Sequence, residues 1–330
     1  MKVALIGAGR IGAMHARNLV AMNGVSGVLV ADLDVTRAEE VARLVGATAC
    51  TSIDAALDGA DAVVIAAATD AHATLIRAAL DRRLPTFCEK PIAKDLAESV
   101  AVVEQVERAG VPLQLGFQRR FDPAYREARR LVESGELGTI YAVALHGHDP
   151  APPHEAYIPT SGGIFRDFSV HDFDVVRWLV AADVEEIYAT GSVRGFDVFA
   201  KYGDVDTAVA TIRMTNGVLA TLMTTRHDPL GYDIRAELYG SRDSVIVGLG
   251  PRSPFRSAEP GVAPPEGPPW PDFFGRFPAA YRAELEAFIP VAAGTEPSPC
   301  TGRDGIAALR TAIAADRSRQ EHRPVMVAEI

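Results

Sequence analysis

The sequence lacks the features that mark several large classes of protein. Its three cysteines, Cys50, Cys88 and Cys300, form no spaced motif, which excludes a disulfide framework and gives no metal site. Lys and Arg number 33 against 43 Asp and Glu, and a net charge of −10 with no basic run argues against a nucleic-acid partner. The longest apolar runs, such as 62–68, are far too short to cross a bilayer. These absences predict a cytoplasmic protein without a membrane segment.

A glycine-rich turn near the N-terminus predicts a dinucleotide-binding fold. The apolar run 3–6 is typical of a parallel strand covered on both faces, and the motif Gly7-Ala8-Gly9-Arg10-Ile11-Gly12 follows it directly. Gly7 permits the tight turn, Gly9 lets a pyrophosphate approach the backbone, and Gly12 lets the next helix pack on the strand. Because the motif stands between a strand and a helix, we assign its glycines, Arg10 and Ile11 to cofactor binding.

An acidic residue after the second strand predicts NAD as the cofactor. The strand 27–31 ends in Asp32, which lies twenty residues beyond Gly12. A carboxylate at this place accepts hydrogen bonds from the adenosine ribose and repels the 2′-phosphate of NADP. Asp34 is a competing candidate for this role. Arg37 is a further cofactor-binding candidate, and its charge would favour a phosphate.

Strands and helices alternate through the first third of the chain, which predicts a doubly wound parallel sheet. Ligands of such sheets bind beyond the carboxyl ends of the strands. Ala67, Thr69 and His72 follow the strand 62–67, and Lys90 follows the strand 85–87. We expect these residues to face the cofactor or the substrate. For His72 and Lys90 the alternatives are a first-turn polar residue of a helix and a surface lysine.

The segment 161–174 predicts a proton-transfer site. Apolar residues recur at three- and four-residue spacings between Phe165 and Leu179, which indicates an amphipathic helix after Gly162 and Gly163. Asp167 and His171 are four positions apart and lie on one face of such a helix. A carboxylate beside a histidine is suited to moving a proton to or from a bound small molecule. The alternative is an exposed pair that only stabilises the helix.

The second half of the chain predicts a mostly antiparallel sheet. The runs 141–146 and 187–191 read as strands, the runs 207–214 and 218–226 form a hairpin around Asn216-Gly217, and the runs 233–239 and 243–247 follow. The segment 248–270 is rich in Pro and Gly and predicts a long loop, either an active-site flap or a subunit-contact arm. We expect an α/β domain over 1–117 and an α+β domain over 118–330.

Together these motifs resemble the glucose–fructose oxidoreductase/inositol dehydrogenase (Gfo/Idh/MocA) family. The resemblance is carried by the glycine motif, Asp32, the triplet Glu89-Lys90-Pro91 and the run from Gly162-Gly163 to Asp167 and His171-Asp172. Within the family, the proline-rich segment 149–163 resembles the inositol 2-dehydrogenase subgroup most closely. The resemblance implies a Rossmann domain with a doubly wound parallel sheet. It also implies a C-terminal α+β domain whose open, mostly antiparallel sheet carries the sugar site and forms a homo-oligomer, a dimer or tetramer.

The resemblance implies NAD-dependent oxidation of a secondary hydroxyl of a cyclic polyol, myo- or scyllo-inositol, to the ketoinositol in inositol catabolism. His171 would take the hydroxyl proton, Asp167 would stabilise the resulting cation, and Lys90 would hydrogen-bond the developing alkoxide. Lys90 remains an alternative immediate base. Further cofactor contacts are assigned to Glu89, Lys90 and Gln118, although Gln118 replaces a methionine common in the subgroup. The remaining polyol-binding candidates are Arg119, Asp149, His154, Tyr157 and Tyr232.

Three other functions share this fold. One is a dehydrogenase of a pyranose or an anhydrosugar, one is a dinucleotide-binding sensor without turnover, and one is a glycosidase that borrows NAD transiently. A set of Lys90, Asp167 and His171 argues against the sensor, which has no need of acid–base groups. For Arg119, Tyr157 and Tyr232 the alternatives to substrate binding are a solvent-facing arginine, a loop side chain and a packing tyrosine.

Overall fold

The computed structural model describes residues 1–330, and they form two compact units. The first unit contains Met1–Gln118 and Ala279–Ile306. The second unit contains Arg119–Pro278 and Ala307–Ile330. Each unit is built on its own sheet.

The first unit holds a parallel sheet of six strands in the order β3-β2-β1-β4-β5-β6. The strands are β1 (Lys2–Ile6), β2 (Gly27–Ala31), β3 (Thr48–Ala49), β4 (Ala62–Ile65), β5 (Thr86–Glu89) and β6 (Leu113–Gly116). They alternate with the helices α1 (Arg10–Val20), α2 (Val35–Val45), α3 (Ile53–Asp58), α4 (Thr69–Asp81) and α5 (Leu96–Ala109). The apolar runs of β1 and β4 are buried because helices cover both faces of the sheet. The predicted doubly wound fold is confirmed.

The second unit holds a mixed, mostly antiparallel sheet of seven strands in the order β12-β11-β7-β10-β9-β8-β13. Its strands are β7 (Ile140–His148), β8 (Val184–Ser192), β9 (Thr207–Met214), β10 (Leu219–Thr225), β11 (Asp233–Gly240), β12 (Ser244–Val247) and β13 (Val325–Met326). Only β7 and β10 pair in parallel. The helices that follow β6 are α6 (Pro123–Glu133), α7 (Ile158–Ser161), α8 (Val170–Val180), α9 (Val198–Lys201), α10 (Phe273–Arg276), α11 (Pro278–Ala292) and α12 (Gly302–Glu321).

Helix α11 packs with the first unit, whereas the division 1–117 and 118–330 assigns it to the second domain. Its Leu285, Phe288 and Val291 recur at three-residue spacing and are buried in the same core as Val3 and Leu5 of β1. An apolar stripe of this kind stabilises the element that it covers, wherever that element lies in the sequence. The last third of the chain therefore contributes to both units.

The segment predicted as the start of one amphipathic helix has a more irregular conformation. Gly162 and Gly163 have φ values of +89° and +90°, which favour glycine. Residues Phe165–Ser169 then form a π-helical turn, and α8 begins at Val170. The prediction of a regular α-helix is wrong at Asp167 and correct from Val170 onward. Turns of this type occur often at functional sites.

The Pro- and Gly-rich segment 248–270 contains no helix or strand, as predicted. Arg252 holds it together, because its Nε donates to the Pro268 carbonyl at 2.8 Å and its guanidinium lies 3.9 Å from the centre of the Trp270 ring. None of the helices in the structure combines the length and the apolar character that a membrane span requires.

Candidate active site

The glycine motif forms an open cradle at the start of α1. A Cβ on Gly7 would lie 2.6 Å from the backbone of Ala66, and one on Gly12 would lie 1.9 Å from the Gly7 carbonyl oxygen. A Cβ on Gly9 would meet nothing within 4 Å. No side chain caps α1, whose first backbone N–H groups are therefore available to an anion. The cradle fits the pyrophosphate of a dinucleotide.

Asp32 lies beside this cradle. Its Oδ2 accepts a hydrogen bond from the backbone N–H of Ala8 at 2.7 Å, and its Oδ1 accepts one from the N–H of Asp34 at 2.9 Å. Asp34 caps α2, because its side chain accepts from the N–H groups of Thr36 and Arg37. Arg37 is half-exposed and lies 4.0 Å from Asp32 and 3.6 Å from Asp34. The arginine thus faces two carboxylates.

The loops after β4 and β5 bring together several residues predicted to bind the cofactor. Ala67 lies in the loop after β4, Thr69 begins α4, and Lys90 is a half-buried residue directly after β5. His72 is buried, with Nδ1 2.7 Å from the Pro91 carbonyl oxygen and Nε2 3.0 Å from the Ala67 carbonyl oxygen. Each ring nitrogen thus faces a backbone carbonyl, and a neutral imidazole, which has one ring N–H, donates to one of the two. His72 links the two loops, and its cofactor contact stays a prediction.

In the second unit a buried arginine connects the predicted polyol-binding and catalytic carboxylates. Arg226 follows β10 and is 3% exposed at its side chain. Its guanidinium lies 3.0 Å from Asp167 Oδ2 and 3.4 Å from Asp149 Oδ2. Tyr157 donates its hydroxyl proton to Asp167 Oδ1 at 2.8 Å. One network around Arg226 therefore contains Asp149, Tyr157 and Asp167.

The network changes the acidity of its members. Burial raises the pKa of Asp149 to about 6, although the charge of Arg226 acts in the opposite direction. Burial and the charge of Asp167 raise the pKa of Tyr157, so its hydroxyl remains a donor. At neutral pH Asp149 is ionised, and a carboxylate with a pKa close to physiological pH is well suited to exchange hydrogen bonds with a hydroxyl-rich ligand.

His171 lies in the first turn of α8, a helix anchored by two buried ion pairs. Arg119 donates to Asp172 through Nη1, and Arg120 binds Asp174 through two hydrogen bonds of 2.8 and 2.6 Å. Both arginines belong to the 3-10 turn Gln118–Phe121. Asp172 and Asp174 are themselves almost fully buried. Since a broken buried pair is costly, these contacts fix the start of the helix that carries His171.

The structure gives three remaining polyol-binding candidates and the cofactor-binding candidate Gln118 structural surroundings of their own. Arg119 is almost fully buried, but its Nε and Nη2 have no hydrogen-bond partner in the protein. Tyr232 is buried edge-on against Phe277, at 6.4 Å between ring centres. His154 is exposed, and its Nδ1 caps a short 3-10 turn by accepting from the N–H of Ala156. Gln118 is buried in the turn before α6. Ligand contacts of these four residues stay predictions.

Sequence reasoning misses two residues that organise this part of the second unit. Arg226 ends a predicted strand, as a charged residue at a strand end often does, but only the pairing of β10 with β7 brings it to Asp149. Asp204 accepts a hydrogen bond from the N–H of Ile164 at 3.1 Å and lies against Gly163. No local pattern around residue 204 points to the segment 163–164, because the contact spans 40 residues.

Comparison with known proteins identifies the family. Residues 1–117 match the family model described as "Oxidoreductase family, NAD-binding Rossmann fold", and residues 125–246 match the "GFO/IDH/MocA C-terminal domain". A myo-inositol dehydrogenase, Hyg17 of Streptomyces leeuwenhoekii, is 39% identical over 96% of this chain and 97% of its own length. The chain belongs to the GFO/IDH/MocA oxidoreductase family. It is therefore an oxidoreductase with an NAD-binding domain, and the predicted family is confirmed.

Other members of this family show the same similarity along the whole chain. The scyllo-inositol 2-dehydrogenase (NAD(+)) of Bacillus subtilis is 35% identical over 99% of this chain and 96% of its own length. Among solved structures, a myo-inositol dehydrogenase from Corynebacterium glutamicum superposes with a TM-score of 0.91 at 33% identity, covering 99% of this chain and 98% of that one. The scyllo-inositol dehydrogenase of Lactobacillus casei with bound NAD(H) and scyllo-inositol gives 0.88 at 26% identity, covering 99% of both chains.

Proposed function

We propose that this protein is an inositol 2-dehydrogenase, which oxidises one secondary hydroxyl of myo- or scyllo-inositol to the ketone with NAD. The observation that carries the proposal is the buried network in which Arg226 contacts both Asp149 and Asp167. Asp167 lies four residues before His171 in the sequence. This network supplies several hydrogen-bonding groups, as a polyol requires, and it holds the carboxylate of Asp167. The similarity to dehydrogenases of both inositols supports the substrate class.

The cradle at Gly9 and the uncapped start of α1 fit the pyrophosphate, and Asp32 fits the adenosine ribose. NAD, when bound, supplies the acceptor for the hydride from the carbon that bears the hydroxyl. Arg37 is already turned toward Asp32 and Asp34, so a 2′-phosphate would meet two carboxylates. We therefore infer a preference for NAD over NADP.

His171 accepts the proton of the reacting hydroxyl in this proposal. Asp167 lowers the cost of the imidazolium that results, because a fixed negative charge favours the protonated ring. Arg226 and Tyr157 hold Asp167 in one orientation, so its charge does not have to reorganise during the reaction. Lys90 hydrogen-bonds the developing alkoxide, and its positive charge lowers the energy of that state.

Asp149 is the main polyol-binding candidate in this proposal. A cyclic polyol presents hydroxyl groups around its ring, and an ionised carboxylate accepts hydrogen bonds from two of them. Arg119, with two unpartnered and buried guanidinium nitrogens, offers donors to further hydroxyl oxygens. Tyr157, Tyr232 and His154 remain additional candidates. A set of donors and acceptors of this kind distinguishes a polyol from an apolar alcohol.

The proposal is tested by a steady-state screen that follows NADH absorbance. Purified protein is given myo-inositol, scyllo-inositol, glucose, xylose and an anhydrosugar, each with NAD and with NADP. We expect an inositol with NAD to give the highest kcat/KM. A higher value for a sugar would favour the pyranose dehydrogenase, and binding of NAD without turnover of any compound would favour the sensor.

The cofactor preference has its own test in the variant Asp32→Ala. Removing the carboxylate removes both the ribose hydrogen bonds and the repulsion of the 2′-phosphate, so the ratio of kcat/KM for NAD to that for NADP falls by at least about tenfold. The variant Asp34→Ala, which removes a neighbouring carboxylate from the cap of α2, tests the competing candidate and should change this ratio less than Asp32→Ala does. Equal efficiency with both cofactors in the unmodified protein would contradict the assignment of Asp32.

The homo-oligomer is part of the same proposal. One face of the seven-stranded sheet exposes several apolar side chains, with Tyr188, Val209, Leu219 and Met223 each more than 40% accessible. Met223 and Val209 are direct partners across β10 and β9. The opposite face of these strands packs into the core through residues such as Ala210 and Leu222. Exposed apolar side chains that cluster on one face are typical of a subunit interface. We therefore propose a dimer or tetramer formed through this face of the sheet.

A further inference from the structure

The two residues that flank Lys90 are each held by a buried histidine of the first unit. His15, in α1, lies with Nε2 2.7 Å from Oε1 of Glu89, the residue before Lys90. His72, in α4, lies with Nδ1 2.7 Å from the carbonyl oxygen of Pro91, the residue after it. Both histidine side chains are almost completely inaccessible to solvent. Lys90 thus lies between two residues that buried histidines contact, Glu89 at its side chain and Pro91 at its backbone carbonyl.

The contact with His15 leaves the side chain of Glu89 little freedom. A Cβ on Gly116 would lie 2.9 Å from Glu89 Oε2, so the second carboxylate oxygen is already packed against β6. The His15 ring is held in turn by edge-on contacts with Phe87 and Tyr281, at 5.6 and 6.1 Å between centres. Since Glu89 cannot rotate, the end of β5 that leads into Lys90 is fixed by the side chain as well as by the sheet.

The contact between His72 and Pro91 connects two neighbouring loops. The second nitrogen of His72 lies 3.0 Å from the carbonyl oxygen of Ala67, in the loop after β4. The imidazole is therefore a bridge between the loops that follow β4 and β5, where ligands of a doubly wound sheet bind. A lysine has a long and flexible side chain, and the position of its ammonium depends strongly on a fixed backbone.

Glu284 completes the surroundings of His15. It is fully buried in α11, and neither of its carboxylate oxygens has a hydrogen-bond partner. One carboxylate oxygen of Glu284, a ring nitrogen of His15 and a carboxylate oxygen of Glu89 all lie within 4.8 Å of one another. An ionised carboxylate in such a place would be very costly. Burial and the negative charge of Glu89 raise the pKa of Glu284 well above its usual value, so it keeps its proton at neutral pH. A neutral Glu284 leaves Glu89 as the carboxylate that His15 binds.

We propose that His15 and His72 are positioning residues for Lys90, and that Glu284 packs beside His15. The proposal rests on the role of Lys90 in the proposed function. It assigns a purpose to three buried polar side chains, those of His15, His72 and Glu284. A displacement of about 1 Å at a catalytic group lowers turnover by up to roughly 10²-fold. Contacts that fix the residues on both sides of Lys90 therefore affect the rate of turnover.

The first test follows turnover in the variants His15→Ala, His15→Gln, His72→Ala and His72→Gln. We expect each Ala variant to lower kcat by about 10- to 100-fold while the KM for the polyol changes less than about threefold. Each Gln variant keeps an N–H donor and should recover most of the loss. The exposed Glu286 of α11 provides the control variant Glu286→Gln, for which no change is expected.

The second test needs no substrate and so separates this proposal from the proposed function. The rate at which an amine-acylating reagent labels Lys90 is measured between pH 7 and pH 10 by mass spectrometry, with the half-exposed Lys94 as the internal reference. We expect the Lys90 profile to shift in both Ala variants and to stay unchanged in Glu286→Gln. A shift without inositol oxidation would leave this proposal standing and refute the proposed function. Unchanged labelling together with unchanged kcat in both Ala variants would overturn the proposal.

Glu284 is tested by shape and charge separately. Glu284→Gln preserves the shape of the neutral acid and should keep kcat within about threefold, whereas Glu284→Ala opens a cavity and should lower both kcat and the melting temperature. Metal analysis of the purified protein accompanies these variants. A stoichiometric divalent cation that is lost in Glu284→Gln would overturn the assignment of a neutral acid. If His15→Ala does not fold, the two His72 variants decide the positioning role.

Discussion

Single buried charges decide much of the chemistry of the second unit. Asp149 is predicted from its place in the proline-rich segment, and the sequence suggests only that it binds a ligand. The structure adds that it is largely buried beside Arg226 and that its pKa is raised to about 6. Sequence reasoning identifies the residue because its type suits a polyol. It misses the perturbed acidity because that depends on neighbours 77 residues away.

The raised pKa of Asp149 predicts how the stability of the protein depends on pH. An aspartate in an unfolded chain titrates near ~3.9, so the folded state holds the proton more tightly between about pH 4 and pH 6. The stabilisation associated with this proton is present below pH 4 and is lost as the pH rises through about 6. Asp149→Asn removes the titration. Relative to the unmodified protein, the free energy of unfolding of this variant should therefore rise by about 3 kcal/mol between pH 4 and pH 8.

Urea denaturation at both pH values measures this difference. The control is Asp228→Asn, which changes a half-buried aspartate of the neighbouring turn. A difference between Asp149→Asn and the unmodified protein that is the same at pH 4 and pH 8 would show that Asp149 has an ordinary pKa.

At the scale of elements, the regular strands and helices follow the sequence pattern and the functional turn does not. The strands β9 and β10 are predicted from period-two alternation, and the structure confirms it with alternating buried and exposed residues. The same reasoning assigns a regular α-helix to the segment 165–169, where the structure has a π-helical turn. Local periodicity is nearly the same for both. The π-helical turn is accompanied by a contact from a distant loop, because Asp204 accepts a hydrogen bond from the N–H of Ile164.

The turn before Asp167 can be tested by replacing one glycine. Gly163→Ala forces a left-handed backbone on alanine and brings its Cβ to 3.2 Å from Asp204 Oδ1, so either the Asp204 side chain or the turn must shift by a few tenths of an ångström. Gly217→Ala is the matched control, because Gly217 has a φ of +87° but a Cβ there would meet nothing within 4 Å. Both variants should lose about 1 kcal/mol of stability from the strained backbone. Only Gly163→Ala should also lower kcat.

Thermal unfolding and steady-state kinetics with NAD and an inositol separate the two effects. Equal losses of kcat in both glycine variants would mean that the turn at Gly163 has no special relation to the reaction.

At the scale of the molecule, contacts between distant segments decide what the sequence pattern leaves open. The glycine motif and the strand alternation predict the parallel sheet and its NAD-binding edge. They do not predict that α11 joins this unit, because its apolar stripe would fit either domain equally well. The exposed apolar face of the second sheet is visible in the alternation of β9 and β10, yet the sequence alone does not say which face is buried.

The apolar sheet face predicts the effect of added charge on assembly. The double variant Val209→Asp/Met223→Asp places two like charges opposite each other on the exposed face, which should dissociate an oligomer formed through it. Size-exclusion chromatography with light scattering gives the mass directly, and Leu44→Asp, at an exposed position of α2, is the control. A monomeric unmodified protein, or an oligomer that survives both charges, would contradict this interface.

Isotope transfer tests most directly whether this protein moves hydride from a polyol carbon to NAD. Myo-inositol and scyllo-inositol with deuterium on every ring carbon are each incubated with the protein and NAD, and the reduced cofactor and the ketone are analysed by mass spectrometry. The account predicts, for at least one of the two inositols, one deuterium in each reduced nicotinamide and one ketoinositol for each NADH formed. Reduced cofactor without deuterium, or bound NAD that stays oxidised in the presence of both inositols, would contradict it.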